Sequence, residues 1–179
     1  MQWIARLIFR LAGWKTAGQV PPFKKFVGIA APHTSAWDAV VALLAKYIFD
    51  IDFAFFGKQE AFNTPYGFIL RALGGIPVDR EHNHNMVDYA VKLFNEREHF
   101  ILAMSPEGTR AYAPQWRTGF YHIARQAQVP IVLTYFDFKN KTVGIGPTFY
   151  PTGDMEKDIE EIKKFYRPIQ GRHPEKGVH

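Results

Sequence analysis

Apolar residues recur along this chain in two alternating rhythms: short continuous runs, and longer stretches with the period of a helix. Trp3, Ile4, Leu7, Ile8 and Leu11, with Arg6 and Arg10 on another face and Gly13 as a stop, predict an amphipathic helix. After Pro21-Pro22 and Lys24-Lys25, residues 26–31 form a short run of apolar and small residues that reads as a buried strand. Trp37, Val40, Val41, Leu44, Ala45 and Ile48 then give a helix over 36–49. The alternation continues with a strand over 52–56 ending at Gly57-Lys58, a short helix over 66–72, and a strand over 76–78 after Gly74-Gly75. A polar connection rich in His and Asn precedes a helix over 86–97, which leads into a strand over 100–104. Pro106 and Gly108 force a turn there, and a helix over 118–128, a strand over 131–136, a strand over 142–145 and a helix over 155–166 complete the pattern.

Strands alternating with helices predict an α/β fold, a single domain whose largely parallel sheet is flanked by helices. The expected organisation is an N-terminal amphipathic helix within residues 1–20, one domain over 21–167, and a flexible tail over 168–179. A length of 179 residues with 47% hydrophobic content suits one core of ordinary size. The absence of cysteine closes thiolate, disulfide and iron–sulfur chemistry. A surplus of 22 Lys and Arg over 17 Asp and Glu favours anionic partners such as phosphates or an anionic membrane. The basic residues are spread along the chain rather than clustered, which predicts no specific nucleic-acid binding. No apolar run approaches the roughly 20 residues that a spanning helix needs. Arg6 and Arg10 interrupt the N-terminal apolar stretch, so it is not a signal peptide; it predicts a helix that docks on its own domain or lies on a membrane surface.

Polar residues of interest fall just after predicted strands, where open α/β sheets build their sites: His33, Lys58, Asp79-Arg80 and the stretch from Glu107 to Arg110. His33 and Asp38 would lie about 140° apart on one continuous helix, so they meet only if His33 is in a loop and Asp38 in the first helical turn. In that geometry Asp38 holds one imidazole nitrogen and leaves the other free to take a proton. Ser35-x-x-Asp38 is equally a capping box, and the sequence leaves both readings of Asp38 open. Gly108, Thr109 and Arg110 combine a turn, a hydroxyl and a guanidinium fork suited to an oxyanion such as phosphate. Arg80 follows another strand, either in a surface ion pair or as a second cation for the same anion. His82 and His84 alternate in a polar loop without a third ligand at metal spacing, so no metal is expected.

Four of these stretches, His33-x4-Asp38, Gly75-Ile76-Pro77-Val78-Asp79-Arg80, Pro106-Glu107-Gly108-Thr109-Arg110 and Val129-Pro130-Ile131, stand in the order and spacing of the four motifs of the glycerophospholipid acyltransferases. The chain resembles that family, in the manner of its lysophosphatidate (1-acylglycerol-3-phosphate) acyltransferases, over about residues 26–136. Lys58 followed by Pro65, and Arg117-Thr118-Gly119-Phe120, also fit; Ser105 and Ala36-Trp37 depart from the family's usual residues. The resemblance implies transfer of a fatty acyl group from a thioester of acyl carrier protein or coenzyme A to the free hydroxyl of a lysophospholipid. His33 would be the general base and Asp38 its partner. Arg80, Glu107, Gly108, Thr109, Arg110 and Lys58 would bind the acceptor, and the turn at Glu107-Gly108 would supply oxyanion donors. No cofactor is implied beyond the acyl thioester co-substrate. The expected location is peripheral, at the cytoplasmic face of a membrane. The competing classes are a lipid or thioester hydrolase and a phospholipid-binding protein without turnover.

Overall fold

The computed structural model describes residues 1–79 and 86–179. Arg80 and the loop histidines His82 and His84 lie outside the described residues. The chain opens with helix α1 (Gln2–Leu11), followed by strand β1 (Lys15–Ala17), β2 (Lys25–Ala31) and α2 (Trp37–Ile48). Next come β3 (Ala54–Lys58), α3 (Gln59–Phe62), α4 (Gly67–Ala72), β4 (Gly75–Val78), α5 (Met86–Glu96) and β5 (Phe100–Met104). The chain continues with α6 (Gly119–Gln126), β6 (Ile131–Asp137), β7 (Thr142–Phe149), α7 (Met155–Tyr166) and a 3-10 turn at Pro174–Lys176.

Among the described residues seven strands form one sheet in the order β1-β7-β6-β2-β5-β3-β4. The five from β6 to β4 run parallel, as the helix-bearing connections between them require. Strand β7 is antiparallel to β6, because the few residues between them are too short for a crossover. Asn140 closes that turn by donating its N–H to Asp137 Oδ1 at 3.1 Å and its side-chain amide to Oδ2 at 2.7 Å. Pro77, which has no N–H for a ladder, lies on the edge strand β4.

Strand β2 is at the centre, and its side chains alternate between two apolar layers. Val27, Ile29 and Ala31 face a core with Phe94 of α5, Phe120 and Ile123 of α6, and Ile162 and Tyr166 of α7. Ala30 faces the opposite layer, where Val41, Ala45 and Ile48 of α2 meet Ala5 and Phe9 of α1 and Phe136 and Val143 of the sheet. An uninterrupted apolar strand is therefore covered on both faces, as parallel sheets need.

The structure differs from the sequence-based expectation at both ends of the chain. Residues 15–17, expected only as part of the N-terminal helical segment 1–20, form β1, paired with β7, so that segment belongs to the sheet. The three-residue, largely exposed strand carries too little apolar pattern to be read from sequence. The residues after Arg167, expected to fray, are bound: Phe138 N–H donates to Gln170 O at 2.8 Å, and Gly171 and Val178 are buried. Gly and Pro are common in frayed ends, and here they permit close packing instead.

Candidate active site

Because β6, β2, β5, β3 and β4 are parallel, their C-terminal ends share one edge of the sheet, and the loops that leave that edge carry the polar residues. The chain leaves β2 through a cis Ala31–Pro32 bond, and His33 lies in the loop before α2. His33 Nδ1 is 3.0 Å from Asp38 Oδ2. The same oxygen accepts the N–H groups of Thr34 at 2.8 Å and Ser35 at 2.9 Å. An oxygen already receiving two amide protons is an acceptor, so Nδ1 is the donor of this pair, a tautomer that in the neutral imidazole leaves Nε2 with its lone pair. Asp38 is 1% exposed, whereas the His33 side chain is 29% exposed, so an enclosed carboxylate backs an imidazole that reaches solvent. Among the described residues, Asp38 Oδ1 is buried without a hydrogen-bond partner, so Oδ2 does all the bonding. The capping reading also holds in part: Asp38 takes the Ser35 N–H, and Ser35 Oγ accepts from Trp37 N–H at 3.2 Å. The two readings of Asp38 are therefore one arrangement, in which starting the helix and holding the imidazole use the same atom.

The turn after β5, the strand next to β2, supports this loop from the other side. Glu107 is 5% exposed; its Oε1 accepts the His33 N–H at 3.0 Å and its Oε2 accepts the Ser105 hydroxyl at 2.6 Å. Ser105, a departure from the family's usual residue, thus completes a brace. Gly108 has a φ of +65°, and an ideal Cβ there would lie 2.5 Å from Arg117 Cδ and Nε, so conformation and space both call for glycine. Burial first and the Glu107 charge second push the Tyr166 hydroxyl well above its usual range. It therefore stays protonated and donates between Ile29 O at 3.0 Å and Thr134 O at 3.1 Å, tying α7 to the end of β2.

A family model described as Acyltransferase matches residues 18–136, which take in β2, α2, the turn after β5 and β6. The chain belongs to the acyltransferase family. A solved structure described as the 1-acyl-sn-glycerophosphate (LPA) acyltransferase PlsC from Thermotoga maritima has the same fold. Its TM-score is 0.66 at 17% identity, over 92% of this chain and 74% of that one. No curated protein sequence matches the chain.

In this acyltransferase the residues expected to bind the acceptor divide into two groups. Gly108, Thr109 and Arg110 are exposed in the turn beside His33, and Lys58 is exposed at the end of β3, two strands or about 10 Å from β2. Asp79 follows β4 at the same edge. Glu107 belongs elsewhere: its buried carboxylate is turned into the protein, where it accepts from the His33 N–H and the Ser105 hydroxyl and holds the His33 loop. Of the turn at Glu107-Gly108 expected to supply oxyanion donors, the Gly108 N–H is already engaged: it donates to Ser105 O at 3.2 Å and closes its own turn. Arg117 was readable only as part of a motif, yet its side chain packs across Gly108. The bonding roles of Thr34 and Ser105 were not legible in the sequence, because a lone hydroxyl in a loop carries no periodic signal. Two cavities among the described residues lie away from this edge. One, about 340 Å³, lies under α1 between Arg6, Arg10, Trp14 and Lys15. Another, about 250 Å³, is at the opposite edge of the sheet near Arg71 and Arg97.

Proposed function

We propose that this protein transfers a fatty acyl group from a thioester of acyl carrier protein or coenzyme A to the free hydroxyl of a lysophospholipid. The favoured acceptor is 1-acylglycerol-3-phosphate. The observation that carries the reading is the His33 Nδ1–Asp38 bond of 3.0 Å, made by a buried carboxylate, on an imidazole that is partly open to solvent. In the reaction His33 Nε2 removes the acceptor's hydroxyl proton as the oxygen attacks the thioester carbonyl. The new C–O bond forms, the C–S bond breaks, and the thiolate leaves and recovers the proton from the imidazolium. General-base assistance of this kind is worth about 10²–10⁴-fold, and a thiolate leaving group with a conjugate acid near pKa 8.5 needs little acid help. Arg110, Thr109, Gly108 and Lys58, with Arg80 outside the described residues and Arg117 as an addition, supply the cations and hydroxyl that suit the acceptor's phosphate.

The membrane surface is the proposed working place, at its cytoplasmic face. Among the described residues no helix is long and apolar enough to cross a bilayer. Helix α1 packs on the domain through Ala5 and Phe9, leaving Trp3 (69% exposed), Leu7 and Leu11 outward beside Arg6 and Arg10. This is the pattern of a helix lying in a lipid interface, with the apolar face down and cations at headgroup level.

The test is acyl transfer from acyl carrier protein and coenzyme A thioesters to a panel of lysolipids in vesicles, with His33→Ala beside the wild type. Product with a phosphate-bearing acceptor, abolished in the variant, is the expected result. Thioester hydrolysis without transfer, or lipid binding without turnover, would refute the assignment.

A further inference from the structure

The segment that follows α7 crosses the sheet edge that carries the site. Phe138 N–H, after β6, donates to Gln170 O at 2.8 Å. The Arg172 guanidinium is 5.3 Å from the centre of the Trp37 ring at the start of α2. The His173 N–H donates to Thr34 Oγ1 at 3.2 Å. At the end of the chain, the His179 ring is 5.3 Å from the Tyr112 ring in the loop after β5. Gly171 makes the closest approach: an ideal Cβ there would lie 2.7 Å from Thr34 Oγ1, 2.8 Å from its Cγ2 and 3.2 Å from Pro32 Cγ.

Thr34 is where this segment and the His33–Asp38 pair meet. It is 2% exposed, its hydroxyl receives the His173 N–H, and its own N–H donates to Asp38 Oδ2 at 2.8 Å. The carboxylate oxygen that holds the imidazole is therefore bonded by the amide of the same residue whose side chain the tail contacts. We infer that residues 170–173 act as a strap over the catalytic loop, with Gly171 as a positioning residue that acts through Thr34 on Asp38 and His33. The inference rests on the reading of His33 and Asp38 as the proton-transfer pair. A strap of this kind matters because misplacing a reacting group by an ångström costs up to about 10²-fold in rate. The competing view is that the tail only closes the core, as Val178 does by packing into it.

Gly171→Ala adds a methyl group against Thr34 while leaving the core untouched. The expected result is a fall in kcat of about tenfold or more at unchanged KM for donor and acceptor, measured well below the melting temperature. Adding Thr34→Ala removes both Thr34 atoms that the new methyl meets and should restore part of the lost kcat, a coupling that a purely structural role would not produce. Val178→Ala, by contrast, should lower the melting temperature and leave kcat alone. A Gly171→Ala enzyme with wild-type kcat, or a double variant as slow as the single one, would overturn the strap. Proton NMR of the His33 Nδ1–H, assigned by its loss in His33→Ala, supplies a readout independent of turnover. This resonance should shift or vanish in Gly171→Ala, and an unchanged resonance would refute the strap. If the wild-type chain transfers no acyl group, the proposed function fails while the NMR comparison still decides the strap.

Discussion

Asp38 Oδ2 accepts three bonds, from Thr34 N, Ser35 N and His33 Nδ1, and this concentration on one atom makes the residue hard to replace. Asn in its place can still accept through its amide oxygen but carries no charge to stabilise an imidazolium. Asp38→Asn should therefore lower kcat by about 10²-fold or more with only a modest loss of melting temperature, measured by steady-state kinetics and thermal unfolding. Glu107 allows a sharper contrast. Glu107→Gln keeps an acceptor for the His33 N–H and can donate its amide to Ser105 Oγ, whereas Glu107→Ala abandons both groups in a buried place. The Gln variant should stay close to wild-type rate, and the Ala variant should lose about 1–3 kcal/mol of stability along with much of the activity. If the Glu107 charge instead contacted substrate, the two variants would be equally slow. His33 and Asp38 were legible because they lie only five positions apart across a strand-to-helix junction. Thr34 and Ser105 were not, because their roles come from the amides and carboxylates that folding brings beside them.

Helix α1 shows how far a pattern of apolar residues reaches and where it stops. Its stripe of Trp3, Ile4, Leu7, Ile8 and Leu11 was plain in the sequence, but the residues that dock are Ala5 and Phe9, and the stripe faces outward. Gln2 Nε2 also donates to Ile48 O at 3.1 Å, which ties the helix to the end of α2. Leu7→Glu with Leu11→Glu should weaken co-sedimentation with anionic vesicles and leave the melting temperature unchanged, because both side chains are exposed. Phe9→Ala should do the reverse, removing a side chain 4% exposed at a cost of about 3–5 kcal/mol while sparing vesicle binding. Equal vesicle binding by the double Glu variant and the wild type would remove α1 from the membrane contact. Strand β7 was equally visible as an element, yet its antiparallel direction depended on the short turn that Asp137 and Asn140 close.

At the scale of the whole molecule, the side of the sheet away from α1 is tied together by a buried acid. Asp158 of α7 accepts from the Tyr121 hydroxyl at 2.8 Å, the Thr152 N–H at 2.7 Å and the Thr152 hydroxyl at 2.8 Å. Burial by itself would raise its carboxyl, but the bonds from Thr152 and Tyr121 outweigh it and hold the group below its ordinary value of 3.8. A depressed native value means that the unfolded chain binds the proton more tightly. The stability from this group is therefore complete above about pH 4 and is lost as the pH falls through the depressed native value. Asp158→Asn should flatten that acid limb in chemical unfolding measured at successive pH values and lower stability at neutral pH; an unchanged acid limb would show that the carboxyl does not contribute to it. The α/β class, the strand ends that carry the polar residues of the candidate site and the His–Asp pair all followed from local order in the chain, since period, turn residues and short spacing are written in neighbouring positions. Sheet order, the outward turn of the α1 stripe, the inward turn of Glu107 and the passage of the tail over Thr34 did not. Each depends on which surfaces remain to be covered once all the elements compete for the same core, and residues such as Gly171 and Thr34, 137 positions apart, meet only when that competition is over.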